Sequence, residues 1–210
     1  MGDRHDQDPP AREASPSGRA AQRRRTRTAI VAATRQLVAD GKTPSIDEIA
    51  AAADVSRRTI YMYFPTVDQL LLDATVALLT EATIDAALDQ DRYGDDVIAR
   101  TDALAQKLVE LAPETLPLGR KIIRLTVDAP PVAEGERRGY RRVEWIERAV
   151  EPLKDRVTAQ QYERLVSALS LVLGWEAMVV LRDVRGLDAK REEEVVRWAA
   201  RVLVEATVSD

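Results

Sequence analysis

The fold is decided by the stretch IDEIAAAADVSRRTIYMYFP, which occupies residues 46–65. It contains two short helical patterns with a break at Asp54 between them. Ser45 and Glu48 have the spacing of a capping box, in which the serine hydroxyl accepts from the glutamate amide and the glutamate side chain reaches back. The pattern therefore predicts that one short helix begins after Ser45 and that Ser56 opens the next one.

Together with a longer helix before them, the two short helices predict a compact three-helix unit with the shape of a helix-turn-helix. Ile60 and Phe64, four residues apart, lie on one side of the last helix and point to the core of the unit. The opposite side is polar, as it must be in a helix that fits the major groove of DNA, which is ~12 Å wide. Whether the two arginines there bind guanine edges or phosphates stays open. The candidates on this side are Ser56, Arg57, Arg58, Thr59, Tyr61 and Tyr63.

Two stretches of this region carry a family resemblance: AIVAATRQLVADG at residues 29–41 and Thr-Ile-Tyr-Met-Tyr-Phe-Pro at residues 59–65. The segment from about Arg23 to Leu72 resembles the DNA-binding domain of TetR-family transcriptional regulators. The resemblance implies that the third helix enters the major groove and that its tyrosines touch phosphates. It also implies that Ser45, at the start of the second helix, joins the DNA contacts.

Two residues depart from the family's pattern. Asp54 stands where the family usually has a glycine in the turn, and aspartate adopts the left-handed conformation at a modest cost. Val67 stands where the family usually has a lysine, which removes one expected phosphate contact. Arginines of the first helix are the candidates to compensate for it.

The charge is unevenly distributed along the 210 residues, whose formal net charge is −4. Residues 19–66 carry 9 basic and 4 acidic side chains, whereas residues 67–210 carry 20 basic and 27 acidic ones. A basic front on an acidic body is the pattern expected when one end meets a polyanion. Arg23 and Arg24 of the first helix therefore join the candidate DNA contacts.

The chain is expected to divide into three segments. Residues 1–18 are polar, contain three prolines and predict a disordered arm. Residues 19–66 form the helix-turn-helix DNA-binding domain, and the resemblance implies that residues 67–210 form a ligand-binding and dimerisation domain. Helical periodicity without a strand signal predicts an all-α fold of about nine helices. The helices predicted in the larger domain span 67–88, 97–111, 118–127, 135–153, 159–184 and 188–208.

Apolar stripes on the last two helices predict a contact with another surface, because a stripe of this kind must be buried somewhere. The resemblance implies that these helices pack against those of a second copy in a four-helix dimer interface. Such a dimer holds two reading heads one DNA turn, ~34–36 Å, or a multiple of it apart. The candidate interface residues are Leu173, Val180, Val195, Trp198, Ala199, Val202, Leu203 and Ala206.

An effector pocket is expected between the middle helices, although tryptophan and methionine at helical spacing are also typical of plain core. Glu176 stands in an apolar run, where a carboxylate needs a partner. Arg124, a cationic ligand, or exposure at a helix edge would each satisfy it. The candidate pocket residues are Leu108, Ile123, Arg124, Trp145, Val172, Trp175, Glu176 and Met178.

The composition argues against most enzyme classes. There is no cysteine, and the one histidine, His5, lies in the predicted arm, so the folded part cannot assemble a thiolate or histidine zinc site or a Ser-His-Asp triad. No phosphate-binding loop, dinucleotide-binding motif or nucleophile elbow is present. We expect no catalytic residues, no metal site and no cofactor. With neither a secretory signal nor a membrane span predicted, we expect a cytoplasmic protein.

The sequence thus predicts a homodimeric regulator of double-stranded operator DNA, a repressor released by a small apolar or amphipathic effector. Two alternatives from other classes remain open. One is a helical protein-interaction module whose basic front binds an acidic partner. A DNA mobility shift repeated at rising salt distinguishes it from the regulator, for which a steep loss of affinity and a sequence preference are expected. The other is a carboxylate-dependent enzyme on a helical bundle, which acids paired at metal-binding distance across the core would favour.

Overall fold

The computed structural model describes residues 16–39, 44–127 and 139–209, and within these ranges the chain is α-helical without strands. The predicted all-α fold is confirmed. The described ranges contain eleven α-helices where about nine helices were predicted, because a one-turn helix lies between the predicted helices 67–88 and 97–111 and the helix predicted over 159–184 is broken in two. The α-helices are α1 Pro16–Ala39, α2 Ile46–Ala52, α3 Arg57–Tyr63, α4 Val67–Ala87, α5 Gln90–Tyr93, α6 Val97–Glu110, α7 Ala112–Val127, α8 Tyr140–Val150, α9 Ala159–Val172, α10 Trp175–Val179 and α11 Ala189–Ser209.

The N-terminal helices pack around a small apolar cluster. Ile30 of α1, Ile49 of α2, and Ile60 and Phe64 of the α3 region have at most 1 % of their surface exposed. Burying a side chain of this size contributes about 1.5–3 kcal/mol, so these four residues hold α1, α2 and α3 together. The predicted inward direction of Ile60 and Phe64 is confirmed.

Helix α4 belongs to two cores at once. Near its start, Leu70 and Ala74 complete the N-terminal cluster. Towards its end, Ile84 packs into the larger cluster of the second part of the molecule. A helix of 21 residues spans about 30 Å at 1.5 Å per residue, so one continuous rod connects the helix-turn-helix unit to the body.

The core of the body lies between α6, α8, α9 and α11. Leu104, Ile146, Leu169 and Val204, one from each of these helices, are fully buried there. Each helix buries one face and exposes the other, as amphipathic helices do. The body therefore surrounds its core with helices rather than with long loops.

The helix predicted over 159–184 is broken, and the expectation of one continuous helix is wrong. Helix α9 ends at Val172, Gly174 is extended, and the chain bends by 40° between α9 and α10, which continues into a π-helical turn over Val180–Val184. A β-carbon on Gly174 would overlap the guanidinium of Arg142. The break therefore brings that arginine against the backbone.

Helix α7 also differs from its prediction, since it begins at Ala112 rather than near residue 118. Pro113 was expected to end the preceding helix, but it lies in the first turn of α7, where a missing amide costs nothing. Pro117 stands further inside the same helix.

Two further boundaries concern the ends of described ranges. Helix α1 begins at Pro16, inside the predicted arm, and residues 1–15 of that arm, with His5, lie outside the described residues. The predicted start at residue 135 of the seventh helix lies outside them too, and α8 is described from Tyr140. Within the described ranges no one helix has both the length and the apolar character to cross a membrane; only the bent pair Ala159–Val172 and Trp175–Val184 together has them.

Candidate nucleic-acid interface and effector cavity

The outward side of α3 is polar and exposed. Ser56 caps the helix: its Oγ accepts from the Thr59 amide at 3.0 Å and lies 2.8 Å from the Thr59 hydroxyl. Because the cap fixes the first turn, Arg57 and Arg58 both project to solvent while Ile60 is buried behind them. The sequence pattern had predicted this division of the helix into two sides.

The elements before α3 fix its orientation. The capping box of α2 is confirmed: the Ser45 amide donates to Glu48 Oε2 at 2.8 Å, and Ser45 Oγ accepts from the Glu48 amide at 3.3 Å. Asp54 adopts the left-handed conformation, with φ of 52°, as predicted for the position where a glycine is usual. The turn between the two short helices is therefore tight and intact.

Arg57 and Arg58 differ in their surroundings. Arg57 forms an ion pair with Asp47 of α2, and both side chains are about three-fifths exposed. Pairs this exposed contribute about 0–1 kcal/mol. The pair orients the Arg57 guanidinium without holding it strongly, whereas Arg58 projects from the same surface with its side chain exposed.

The far end of α3 adds one residue that the sequence reasoning missed. Tyr61 is about half exposed, and Met62 is 71 % exposed, more than any other apolar residue of this unit. Tyr63 is half-buried. Met62 was not predicted because a DNA-binding side is expected to be polar; an apolar side chain at a non-core position of the helix was the available signal.

On α1, Arg24 is exposed and Arg23 is half-buried. They stand one turn before Arg27, for which the sequence predicts no role. Arg27 is only 3 % exposed. The three arginines therefore divide between a surface that a polyanion can reach and the interior.

Arg27 joins four parts of the molecule. Its Nη1 donates to the Tyr63 carbonyl at 3.2 Å, at the C-terminal end of α3, and its Nη2 donates to Asp73 Oδ2 of α4 at 2.8 Å. Its guanidinium lies 4.2 Å from the Phe64 ring centre and 4.6 Å from that of Tyr140 of α8, within the range of cation–π contacts. We call Arg27, Asp73, Phe64 and Tyr140 the arginine junction.

Residues 30–74, which include this whole helix-turn-helix, match the sequence profile of the family described as "Bacterial regulatory proteins, tetR family". The N-terminal unit is a tetR-family domain. The predicted family resemblance is thereby confirmed.

Beyond that domain, two further similarities extend into the body. The chain is 33 % identical over 128 residues, 60 % of its own length, to the "HTH-type transcriptional repressor LfrR" of Mycolicibacterium smegmatis, and it spans 62 % of that protein's length. It is also similar, at 14 % identity and a TM-score of 0.49, to the crystal structure of a TetR transcriptional regulator from Rhodococcus sp. RHA1, over 86 % of this chain and 96 % of that one.

Behind the tetR-family domain, a cavity of about 670 Å³, counted with its mouth, lies between α4, α6, α7, α8 and α10. Four of the eight predicted pocket residues line it. Ile122 lines it where its neighbour Ile123 was expected. The residues that were predicted and found in the lining are Leu108, Trp145, Trp175 and Met178.

The other four predicted pocket residues lie outside that lining. Arg124 is exposed on the outer side of α7, and Ile123 is turned away by the helical offset from Ile122. Val172 and Glu176 line a separate apolar groove between α9, α10 and α11. The prediction of these four residues as pocket residues is wrong, because helical periodicity does not fix which side of α7, α9 and α10 faces the cavity.

Glu176 has the arginine partner that its apolar surroundings require, but it is Arg142 and not Arg124. Arg142 Nη1 donates to Glu176 Oε2 at 2.6 Å. Gly174 leaves the space that the Arg142 guanidinium occupies. In the same way Gly119 of α7 leaves the space for the indole of Trp175, whose Nε1 lies 3.4 Å from Thr115 Oγ1.

The end of the cavity next to the tetR-family domain is polar. It includes Asp73 and Tyr140 of the arginine junction together with Arg141 and Arg142. Burial raises the pKa of Tyr140 to about 12, so its hydroxyl keeps its proton at neutral pH. The wall of the cavity and the support of α3 thus share two residues.

The outer face of the body is apolar where the dimer contact was predicted. Val180, Val195, Trp198 and Val202 are 38–63 % exposed. Leu171 and Val184, which the sequence analysis did not name, are 77 % and 75 % exposed on the same side of the α9–α10 segment. Ala206 is exposed, Ala199 lines the groove beside Val195, and Leu203 packs partly into the core. Leu173 is fully buried in the core, so its prediction as an interface residue is wrong: it lies four residues after the buried Leu169, on the inward side of α9, and its amide donates to the Leu169 carbonyl.

Two ion pairs hold α11 on the body. Arg197 donates to both carboxylate oxygens of Asp102 on α6, at 2.8 and 2.6 Å, and Arg182 pairs with the fully buried Glu192. The Arg197 hydrogen bonds lower the pKa of Asp102. In the three described ranges, no three histidine, aspartate or glutamate side chains gather as they would around a metal ion.

Proposed function

We propose that the protein is a homodimeric DNA-binding transcriptional regulator of the cytoplasm, a repressor that releases its operator when a small amphipathic effector binds. The observation that carries this proposal is the outward side of α3, where cationic and hydroxyl-bearing side chains stand exposed above a buried apolar face. The name of the Mycolicibacterium relative, a transcriptional repressor, supports the same direction.

The proposed interface places α3 in the major groove. Arg57 and Arg58 reach base edges or phosphates, and Met62 offers an apolar contact of the kind that thymine methyl groups accept. Arg23, Arg24 and Tyr63 flank the helix and suit phosphates, which position a protein on DNA. The hydroxyl of Ser45, at the start of α2, already donates to Glu48. It would therefore have to give up this hydrogen bond in order to donate to a phosphate.

The proposed dimer uses the exposed apolar face of α10 and α11. Leu171, Val180, Val184, Trp198 and Val202 form too large an apolar surface to stay in water without cost. An isologous dimer, in which both copies use this same face, buries it. The proposal places the two symmetry-related α3 helices on one side of that dimer.

The proposed release works through α4 and the arginine junction. A ligand in the cavity touches Asp73 and Tyr140, and the same two residues hold Arg27, which bonds to the end of α3. A ligand that binds more tightly when the Arg27 contact with the end of α3 is altered shifts the population of dimers. The favoured dimers are those in which the distance between the two α3 helices does not match the operator. Equal affinity for both states would shift nothing.

The first test replaces both arginines, in the variant Arg57→Ala plus Arg58→Ala. Each bidentate base contact is worth about 1–3 kcal/mol, so we expect affinity for the DNA upstream of the protein's own gene to fall by roughly 100-fold. Fluorescence polarisation with labelled DNA at two salt concentrations measures it. The fold, followed by circular dichroism, and the dimer, followed by light scattering, should not change.

A matched control is Lys154→Ala plus Arg156→Ala, which removes the same charge from exposed positions of the body away from the proposed dimer face. We expect it to bind the DNA as the wild type does. Unchanged affinity of the α3 variant, or equal losses in both variants, would show that α3 is not the reading helix.

A further inference from the structure

We propose that the cavity binds an amphipathic anion, a single carboxylate joined to an aromatic or branched apolar body. The inference deepens the proposed function, because this molecule would be the effector. The binding step itself involves no DNA, so it can be tested separately.

The cavity has two chemically different ends. One end is built from aromatic and aliphatic side chains, among them Leu111, Trp145, Trp175 and Met178. The other end, next to the tetR-family domain, carries two adjacent arginines of α8. A ligand that fills both ends therefore needs an apolar body and one polar group.

The carboxylates near the polar end are already bound. Asp73 Oδ2 accepts from Arg27 at 2.8 Å, and Oδ1 lies 4.0 Å from Arg141. Glu176 accepts from Arg142 and does not line the cavity. A cationic ligand would have to displace one of these arginines, and the displaced guanidinium would be left buried with its charge unpaired, which is costly.

Two arginines that line the cavity each have a guanidinium nitrogen without a hydrogen-bond partner in the described ranges. Arg141 Nη2 and Arg142 Nε are buried and have no hydrogen-bond partner among the residues that the structure describes. Tyr140 also lines the cavity, and its hydroxyl is protonated at neutral pH. A carboxylate accepts hydrogen bonds at both oxygens and donates none, so it complements a wall that offers N–H and O–H groups.

The position of Arg142 depends on a residue that the fold keeps small. Any side chain at Gly174 would overlap its guanidinium. The break between α9 and α10 therefore creates the place in which this arginine meets both Glu176 and the cavity. A ligand carboxylate and the Glu176 carboxylate would share the same guanidinium.

The test compares three probes with one naphthyl skeleton and different charge: naphthylacetate, naphthylacetamide and naphthylethylammonium. Titration calorimetry on the wild-type protein without DNA measures each affinity. A charge-assisted hydrogen bond adds about 1.4 kcal/mol over a neutral one, which is tenfold in affinity. We expect naphthylacetate to bind at least about tenfold more tightly than the amide and the ammonium to bind weakest. Failure of naphthylacetate to bind, or equal or tighter binding of either other probe, overturns the proposal.

Two matched variants break the Arg142–Glu176 pair from its two sides. Arg142→Gln should lose about tenfold in affinity for naphthylacetate while binding the amide unchanged. Glu176→Gln should keep or raise the affinity for naphthylacetate, because it frees the guanidinium. If the pair served only to hold the fold, both variants would change binding in the same direction for both probes, and the proposal would fall.

The outcomes separate this inference from the proposed function. Preference for the amide or the ammonium would overturn the ligand class while the DNA contacts of α3 stand. If the wild type bound DNA without sequence preference, or if the α3 arginine variant lost no affinity, the proposed regulator would be overturned. The calorimetry would still report which charge the cavity prefers.

Discussion

Two arginine–aspartate pairs lie within the same small unit and have opposite consequences. The Arg57–Asp47 pair stands on the outward side of the helix-turn-helix, with both side chains about three-fifths exposed. The Arg27–Asp73 pair lies beneath it, with side chains 4 % and 15 % exposed. An exposed arginine contributes little to stability but is available to bind a partner such as DNA, whereas a buried one stabilises the fold through the carboxylate it already pairs with.

A third pair lies between these extremes and makes the comparison quantitative. Arg197 and Asp102, which join α11 to α6, are 33 % and 25 % exposed. If burial decides what an ion pair contributes, removing one partner should destabilise the protein most at Arg27, less at Asp102 and least at Asp47.

The largest effect is expected for Arg27→Ala. The change leaves Asp73 without its main partner, removes the contact with the Tyr63 carbonyl and takes a cation from between two rings. Breaking a buried pair costs about 3 kcal/mol or more. Urea unfolding followed by circular dichroism measures the loss. Arg25→Ala, an exposed arginine two residues away, is the control, and a loss no greater than in that control would refute the structural role of the junction.

An intermediate effect is expected for Asp102→Asn. Because its folded-state pKa is lowered below the ordinary value of 3.8, the charged pair stabilises the protein above that pH and ceases to do so as the pH falls through the lowered pKa. We expect a loss of about 1 kcal/mol at neutral pH that disappears in acid, where the wild-type carboxyl is protonated too. Unfolding across this pH range measures it.

The control for Asp102→Asn is Asp95→Asn, which changes an exposed aspartate in the turn before α6. A pH-independent difference between Asp102→Asn and the wild type would mean that shape and hydrogen bonding, not charge, hold α11 at this point.

The smallest effect on stability is expected for Asp47→Ala. Removal of an exposed partner should change the free energy of unfolding by about 0.5 kcal/mol or less. The same change frees Arg57 and removes a negative charge beside the proposed DNA surface, so DNA affinity should rise, most at low salt. Polarisation assays at two salt concentrations test this, and weaker DNA binding would argue that Asp47 positions Arg57 for its contact.

Local features of the fold could be predicted from the sequence because their signals lie within a few residues. The capping box at Ser45, the left-handed turn at Asp54 and the inward pair Ile60 and Phe64 all depend on spacing within one or two helical turns. The apolar outer face of α11 followed from periodicity in the same way, through Val195, Trp198 and Val202.

Features that depend on distant partners could not be predicted. Arg27 looks like one more basic residue of α1 until α4 and α8 bring Asp73 and Tyr140 to it. A single glycine within an apolar helical pattern does not reveal a break, nor does it reveal that Arg142 of α8 lies against Gly174.

The sharing of α4 between two cores has a practical meaning for anyone dividing this molecule. A fragment that stops at residue 66 would lack Leu70, Ala74 and Ala77, three of the side chains that close the N-terminal core, and we expect it not to fold alone. Chimeras that give this reading head a different sensor should be joined beyond Ala77. Because the two cores share α4, heating that unfolds the body should also unfold the N-terminal unit in one transition.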